Sequence, residues 1–284
     1  MTLAVRRDGE GFSDSVSLDF IDPESGASGL VRVELRAAAR RADALGLVLD
    51  RDKAAVCAPS LAGDPPDDWG SVELGGVRVA DDGERARVAL DGDEVGLEIE
   101  ATRLGGVAFG AGSAFSDASG LTQEPFAARV SGEWRAGGST GQVRCFGRLV
   151  RTSGEIDWGQ IELIRSLTAV LEDGSLLAVG SARPVGASGH GEEAASALLL
   201  DSDGSVRRFE EPLLSTEYDS EGRHRRAGVE LWGSGEDAAA LRGAGTRIGG
   251  AGADVDGTRL ETAFLSFTLD GASGTARYDL TRRA

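Results

Sequence analysis

Apolar and polar residues alternate one by one in short stretches along the whole chain, and turns rich in glycine separate these stretches. Residues 15–20 alternate in this way, residues 31–35 do so again, and residues 22–26 between them read Asp-Pro-Glu-Ser-Gly. A period of two places one side-chain face on a core and the other in water. The two stretches therefore predict an antiparallel hairpin.

The same arrangement recurs in both halves, at residues 72–79, 88–99, 163–179, 197–204 and 264–280. Asp-Gly between two alternating stretches, as at residues 91–92, is a strong hairpin signal. Helical patterns are confined to residues 37–45, where two helical turns and a strand edge both fit, and to residues 236–241, where one turn fits. The Gly/Ala/Ser-rich residues 105–126 fit either a loop or an irregular strand. The pattern as a whole predicts an antiparallel sandwich or barrel.

The chain is strongly acidic, with a formal net charge of −17. Such a surface repels phosphate backbones and anionic headgroups, so neither nucleic acid nor a membrane surface is an expected partner. No apolar run approaches the roughly 20 residues that span a bilayer, and the first eight residues have no apolar signal core. We therefore expect a soluble, cytoplasmic protein without membrane insertion.

Several common catalytic motifs are absent from the sequence. It contains no Gly-x-Ser-x-Gly elbow, no neighbouring Cys-His pair, no dinucleotide fingerprint and no phosphate-binding loop. Two cysteines, Cys57 and Cys145, are too few for a structural zinc site. Residues 201–204 read Asp-Ser-Asp-Gly, but the first carboxylate of a calcium loop is missing, so a hairpin turn is the better interpretation. We expect no metal and no cofactor.

Residues 147–158 read Gly-Arg-Leu-Val-Arg-Thr-Ser-Gly-Glu-Ile-Asp-Trp. This stretch resembles the motif Gly-His-Arg-Asp-His-Ser-Trp-Gly-x-Arg-Asp-Trp, which ends the first domain in the carotenoid hydratase and AttH-like superfamily of tandem lipocalin-like proteins. Gly147, Gly154, Asp157 and Trp158 match the motif. Both His positions, both Arg positions, the first Asp and the first Trp do not.

Three further segments resemble parts of that superfamily. Residues 20–26 resemble its early hairpin, residues 131–134 a glycine-containing strand before the motif, and residues 261–282 its closing hairpin. The resemblance implies an all-β fold of two tandem lipocalin-like antiparallel barrels or strongly curved sheets, with few short helices. We expect the first domain over residues 1–157 and the second over residues 158–284. The resemblance also implies an apolar small-molecule cavity, since its members include carotenoid hydratases and polyketide cyclases.

Three residues are candidates for proton transfer. If Asp157 faces the apolar interior of a barrel, burial raises its pKa, so that it protonates an alkene. The ring face of Trp158 then stabilises the resulting cation. The alternative is that Asp157 caps a turn beside a core tryptophan. His190, among glycines, is a candidate general base oriented by Glu192, the alternative being a polar loop.

Aromatic and charged residues near these positions are candidates for ligand binding. They are Trp134, Trp158, Trp232, Tyr218, Glu162 and Arg165. The alternative for the tryptophans is a purely structural core role. The alternative for the last two is an exposed Glu162–Arg165 pair at a strand edge. His224, in an arginine-rich stretch, is expected at a solvated hairpin tip.

The sequence leaves three functions open. The first is binding of a terpenoid, polyketide or acyl lipid, with cofactor-free hydration, isomerisation or cyclisation if the protein is an enzyme. The second is a non-catalytic lipid carrier or chaperone. The third is a structural or partner-binding β protein with a filled core. The sequence also leaves the oligomeric state open.

Overall fold

The computed structural model describes residues 4–50, 53–57, 60–62, 65–209, 211–233, 240–255 and 257–284. Their strands are β1 (Ser13–Ile21), β2 (Ala27–Arg36), β3 (Arg41–Asp50), β4 (Lys53–Cys57), β5 (Ser60–Ala62), β6 (Val72–Leu74), β7 (Val77–Asp81), β8 (Arg85–Asp91), β9 (Val95–Gly106), β10 (Leu121–Ala136), β11 (Ser139–Gly154), β12 (Ile161–Leu171), β13 (Leu176–Pro184), β14 (Ala194–Leu200), β15 (Val206–Phe209), β16 (Leu213–Tyr218), β17 (His224–Leu231), β18 (Leu241–Val255), β19 (Thr258–Leu269) and β20 (Ala272–Arg283). Within these ranges, helix is limited to α1 (Ala114–Ser119) and a 3₁₀ turn, His190–Glu192. No helix there is long and apolar enough to cross a membrane.

The strands form two curled antiparallel sheets with the same internal order. The first runs β4-β3-β2-β1-β11-β10-β9-β8-β7-β6, with β5 also paired to β3, and the second runs β15-β14-β13-β12-β20-β19-β18-β17-β16. Read from β4 and from β15, the two orders correspond strand for strand as far as β7 and β16. The predicted fold class, two tandem lipocalin-like units, is confirmed.

The chain forms two compact units, and each has its own apolar core. The first comprises Met1–Leu104 and Phe126–Glu155, and the second comprises Gly105–Pro125 and Ile156–Ala284. The predicted domain boundary after residue 157 stays a prediction.

The predicted hairpins are present in the structure. Residues 15–20 lie in β1 and residues 31–35 in β2, and the two strands pair around the predicted turn. The helical alternative for residues 37–45 is wrong, because residues 37–40 form a tight turn and β3 then pairs with β2. The turn predicted at residues 236–241 falls mostly outside the described residues.

The Gly/Ala/Ser-rich segment contains α1, which the sequence did not predict. The Ser113 side chain accepts a hydrogen bond from the Ser116 N–H at the start of the helix. Gly120 ends it with a left-handed backbone, at φ 73°. Capping groups at both ends stabilise a helix of only six residues.

Two glycines occupy matching positions in the two sheets. Gly147 in β11 lies opposite Phe20 in β1, and Gly274 in β20 lies opposite Leu171 in β12. A Cβ atom would lie 2.4 Å from the Asp19 carbonyl oxygen at Gly147, and 2.3 Å from the Val170 carbonyl oxygen at Gly274.

The strand register continues unbroken from both glycines. Aligning the two units on Gly147 and Gly274 therefore places Asp14 at the position of Arg165, and Arg151 at the position of Tyr278.

Substituting either matched glycine by alanine tests this close strand approach. We expect Gly147→Ala and Gly274→Ala each to lower the free energy of unfolding by about 1–3 kcal/mol, because the methyl group meets backbone. Urea unfolding measures the change. Gly110→Ala is the control, since nothing lies within 4 Å of its Cβ position. Equal stabilities for all three variants would contradict the expectation.

Candidate functional site

Arg165 extends into the core of the second unit. It lies on β12 between Leu163 and Leu167, and the alternation of the strand places all three on the inward face. Its side chain is only 3% exposed. A buried guanidinium keeps its charge, so it requires anionic or carbonyl partners.

The partners of Arg165 come from other segments of the same unit. Nη1 donates to the Leu214 carbonyl oxygen at 2.6 Å and lies 3.4 Å from the Thr216 Oγ1. Nη2 donates to the Glu193 carboxylate. Nε has no hydrogen-bond partner among the described residues. Arg165 is therefore partnered on its two terminal nitrogens only.

Tyr278, from β20, lies beside this group. Its side chain is fully buried in the second core, and its hydroxyl oxygen lies 2.5 Å from the Thr216 Oγ1. Burial raises the pKa of Tyr278 to about 12, although the Arg165 charge and the Thr216 hydrogen bond act in the opposite direction. The hydroxyl therefore stays protonated at neutral pH and is a hydrogen-bond donor.

Glu193 links Arg165 to the loop that precedes β14. Its carboxylate accepts from the Ser181 hydroxyl at 2.5 Å, and its Oε1 lies 3.1 Å from the His190 Nδ1. Burial acts to raise the pKa of Glu193, but the Ser181 hydrogen bond and the Arg165 charge hold it below its usual value. Glu193 is therefore ionised at neutral pH.

The carboxylate beside His190 is Glu193, which corrects the prediction that Glu192 orients the imidazole. The 3₁₀ turn brings residues three apart onto one side, so Glu193 meets the ring. Glu192 instead accepts hydrogen bonds from the backbone and hydroxyl of Ser188. His190 itself is 56% exposed. The sequence signal for Glu193 is its spacing of three residues from His190, which the prediction did not use.

Asp157 caps a turn, as the alternative interpretation of the sequence described. Its carboxylate accepts from the Gln160 side chain at 2.6 Å and from the Gly159 N–H at 2.8 Å. The hydrogen bond from Gln160, followed by that from Gly159, lowers the pKa of this exposed carboxyl. The predicted raised pKa is therefore wrong. Trp158 is half-buried in the same turn.

The remaining candidates are not among the hydrogen-bond or ion-pair partners of Arg165. Tyr218 and Trp232 are 52% and 38% exposed, at the end of β16 and just after β17, and Glu162 is exposed on β12. The alternative of a Glu162–Arg165 pair is wrong, because Arg165 is buried and pairs with Glu193. Trp134 belongs to the first unit.

Trp134 is buried and lines a groove of about 540 Å³ in the first unit. Charged side chains share this groove, among them Arg78, Glu98 and Arg135. The lining is therefore mixed in polarity.

His224 is buried, so its predicted place at a solvated hairpin tip is wrong. A shift in the β16–β17 register between Glu217 and Tyr218 accompanies this inward orientation. The ring packs edge-on against Tyr278, with centroids 5.3 Å apart. Burial, followed by the Arg247 charge, lowers the pKa of His224, while Glu261 and Asp279 oppose the shift.

At the matched position in the first unit, the buried charges of two strand residues pair with each other. There Asp14 accepts two hydrogen bonds from Arg151 and one from the Trp69 Nε1, so the strands satisfy their own charges. In the second unit the charge on Arg165 is balanced by Glu193, which lies outside the strands. We therefore take Arg165, Tyr278, Thr216, Ser181, Glu193 and His190, here called the Arg165 cluster, as the candidate site.

Two curled sheets of duplicated order, with a polar cluster inside the second, define a tandem lipocalin-like protein. The chain belongs to the family described as domain of unknown function DUF7064, which matches residues 4–283. No curated protein sequence matches the chain.

Solved structures of low sequence identity share the fold. A Nitrosomonas europaea protein assigned as AttH superposes with a TM-score of 0.72 at 16% identity, covering 96% of this chain and 93% of that chain. CghA with Sch210972 gives 0.68 at 13% identity, covering 100% and 94%. Kievitone hydratase from Nectria haematococca gives 0.68 at 10% identity, covering 99% and 97%. The predicted resemblance to the AttH-like superfamily is confirmed for the fold.

The buried imidazole of His224 predicts a pH-dependent stability. The unfolded chain protonates His224 near the ordinary histidine pKa of 6.5, whereas the folded protein does so only at lower pH. The unfolded state therefore binds more protons as the pH falls. The contribution of His224 is complete above about pH 6.5 and declines below it, by at most about 1.4 kcal/mol per pH unit.

Urea unfolding from neutral to mildly acidic pH measures this dependence. We expect His224→Phe to remove that part of the slope. The chain contains two histidines, so His190→Gln is the matched control and keeps the slope. An unchanged slope in His224→Phe would show that the imidazole is not protected from protonation.

Proposed function

We propose that this protein binds an apolar small molecule against the inward face of the second sheet and catalyses its hydration, isomerisation or cyclisation without a cofactor. The observation that carries the proposal is the Arg165 cluster. It places a protonated hydroxyl and a permanent positive charge inside an otherwise apolar face. Fixed donors in surroundings of low dielectric stabilise developing negative charge far better than water does.

Each group in the cluster has a distinct chemical role in this proposal. Tyr278 and Arg165 donate hydrogen bonds to an oxygen of a conjugated substrate, so that electron density moves onto that oxygen. His190 removes a proton from the attacking water or from a substrate carbon and returns it to the product. Atoms balance, because hydration adds one water and isomerisation or cyclisation adds nothing.

The structural relatives support this class of reaction. One is named a hydratase, and another is named as a complex with the compound Sch210972. Their sequence identities of 10% and 13% carry the fold to this chain, so the reaction itself rests on the Arg165 cluster. The terpenoid, polyketide or acyl-lipid ligand and the cytoplasmic location expected from the sequence are part of the same proposal.

A second candidate function is a non-catalytic carrier. The observation that favours it is the complete burial of Tyr278, whose hydroxyl is already bonded to Thr216. A carrier uses such a group to rigidify its interior rather than to react.

Turnover of defined probes separates the two functions. We expect apolar conjugated enones incubated with the protein to gain the mass of one water, or to change retention at constant mass, by liquid chromatography and mass spectrometry. Tyr278→Phe keeps the buried ring and removes the donor, which should slow turnover about 10²-fold. Ser215→Ala is the control, since it removes an exposed hydroxyl next to Thr216. Full turnover by Tyr278→Phe would exclude the proposed role.

Native mass spectrometry of the freshly purified protein tests ligand binding alone. We expect an additional mass that disappears on denaturation and is recovered in an organic extract. The physical reason is that burial of apolar surface against the inward face holds the molecule while the sheet is folded. A clean mass, together with no binding of any enone, would favour the third function considered from the sequence, a β protein with a filled core.

A further inference from the structure

We propose that Arg165 is the binding point for an acidic group on the ligand, and that Glu193 occupies this point when no ligand is bound. The ligand class is thereby narrowed to apolar molecules that carry a carboxylate or an acidic enol. This inference rests on the proposed function, because it concerns the same inward face. It assigns Glu193 as an internal competitor rather than as part of the reaction.

The carboxylate that pairs with the buried arginine comes from a different kind of segment in each unit. In the first unit Asp14, on β1 itself, pairs with Arg151 through two hydrogen bonds. At the matched position in the second unit the strand carries Arg165, and its carboxylate comes from Glu193 in the loop before β14. The strand thus provides the positive charge, and the negative charge comes from a segment that lies outside the sheet strands.

The loop that carries Glu193 has open space around three of its glycines. Its glycines Gly186, Gly189 and Gly191 have no atom within 4 Å of their Cβ positions. The Glu193 side chain is tied down by Arg165, Ser181 and His190. Withdrawing the Glu193 side chain from Arg165 breaks its side-chain hydrogen bonds to Arg165 and Ser181, and Glu193 takes no part in the pairing of β13 with β14.

Arg165 has hydrogen-bonding capacity that its partners do not use. Glu193 engages Nη2, and the buried Nε has no hydrogen-bond partner among the described residues. A guanidinium binds a carboxylate best through two parallel hydrogen bonds, such as from Nε and Nη2. An incoming carboxylate that makes both bonds is a better partner than the one it replaces.

Charge explains why the exchange selects acidic ligands. Removing Glu193 without replacing it leaves a buried and uncompensated cation, which is strongly unfavourable. A neutral molecule therefore binds with Glu193 still in place and uses the Arg165 Nε, whereas an anion can replace the Glu193 carboxylate. The displaced Glu193 keeps a partner, because the exposed ring of His190 already lies 3.1 Å from its Oε1.

A pair of probes with one hydrocarbon chain tests the proposal. Decanoate and 1-decanol share their apolar tail, and only decanoate carries a charge at neutral pH. Isothermal titration calorimetry of the full chain measures both affinities. We expect the wild-type protein to bind decanoate more tightly than decanol.

Two variants then test the roles of Glu193 and Arg165, and a third variant is the control. Glu193→Gln removes the internal competitor, so decanoate binding should tighten about tenfold while decanol binding stays the same. Arg165→Gln should abolish the preference for decanoate. Glu217→Gln is the matched control, because it makes the same charge change at an exposed carboxylate on β16 and should leave both affinities unchanged.

Ser181→Ala provides a second route if Glu193→Gln does not fold. It removes one hydrogen bond that holds Glu193 and keeps every charge, so decanoate binding should tighten to a smaller extent. Far-ultraviolet circular dichroism shows which variants are folded before titration.

Specific results would overturn the proposal. Equal tightening of both probes in Glu193→Gln would mean that Glu193 closes the interior without competing for Arg165. If the preference for decanoate survives Arg165→Gln, the acidic group of the ligand binds somewhere other than Arg165. If decanol binds and enones are converted without any preference for decanoate, the proposed function stands and this inference fails. If neither probe binds any variant and no enone is converted, both fail.

Discussion

The positive charge of Arg165 inside an apolar sheet is the constraint on which the second unit depends. A guanidinium cannot lose its proton at any physiological pH, so burial does not neutralise it. The chain must bring oxygen atoms to it, and these come from the β16 backbone, from Thr216 and from Glu193. The path of the loop before β14 and the position of Tyr278 are both tied to this single charge.

A comparison of the two units shows how Arg165 differs from its counterpart in the first unit. Asp14 and its counterpart Arg165 each belong to an ion pair, but only in the first unit do both members of the pair lie on strands. Asp14 and Arg151 lie on the neighbouring strands β1 and β11, two residues apart in register, and the Trp69 Nε1 and the Arg6 N–H also donate to the Asp14 carboxylate. Such a pair is a structural element of a filled core. In the second unit the matched positions hold Arg165 and Tyr278, and the carboxylate that pairs with Arg165 comes from the loop before β14.

Burial and the Arg165 charge set the protonation states of the groups around Arg165. Burial keeps the Tyr278 hydroxyl protonated and the His224 imidazole neutral, whereas the Arg165 charge contributes to keeping Glu193 ionised. Beside Arg165, the chain thus places an ionised carboxylate from Glu193 and a neutral hydroxyl from Tyr278 at neutral pH. This is the electrostatic environment in which a donor pair polarises a substrate oxygen without competing water.

The strand hairpins and an antiparallel all-β fold were predictable from the sequence by itself, and the tandem lipocalin-like architecture followed from the family resemblance. Arg165 was a candidate for ligand binding, but the sequence did not decide whether it faces inward. Alternation and turn glycines act between neighbours along the chain, so their signal survives without tertiary information. The tertiary structure decided the rest. Glu193 meets Arg165 across 28 residues, and a register shift turns His224 inward. One residue of slippage reverses every side chain of a strand, and contacts between distant segments leave no local pattern. For this physical reason the partners of Arg165 appear only in the folded chain.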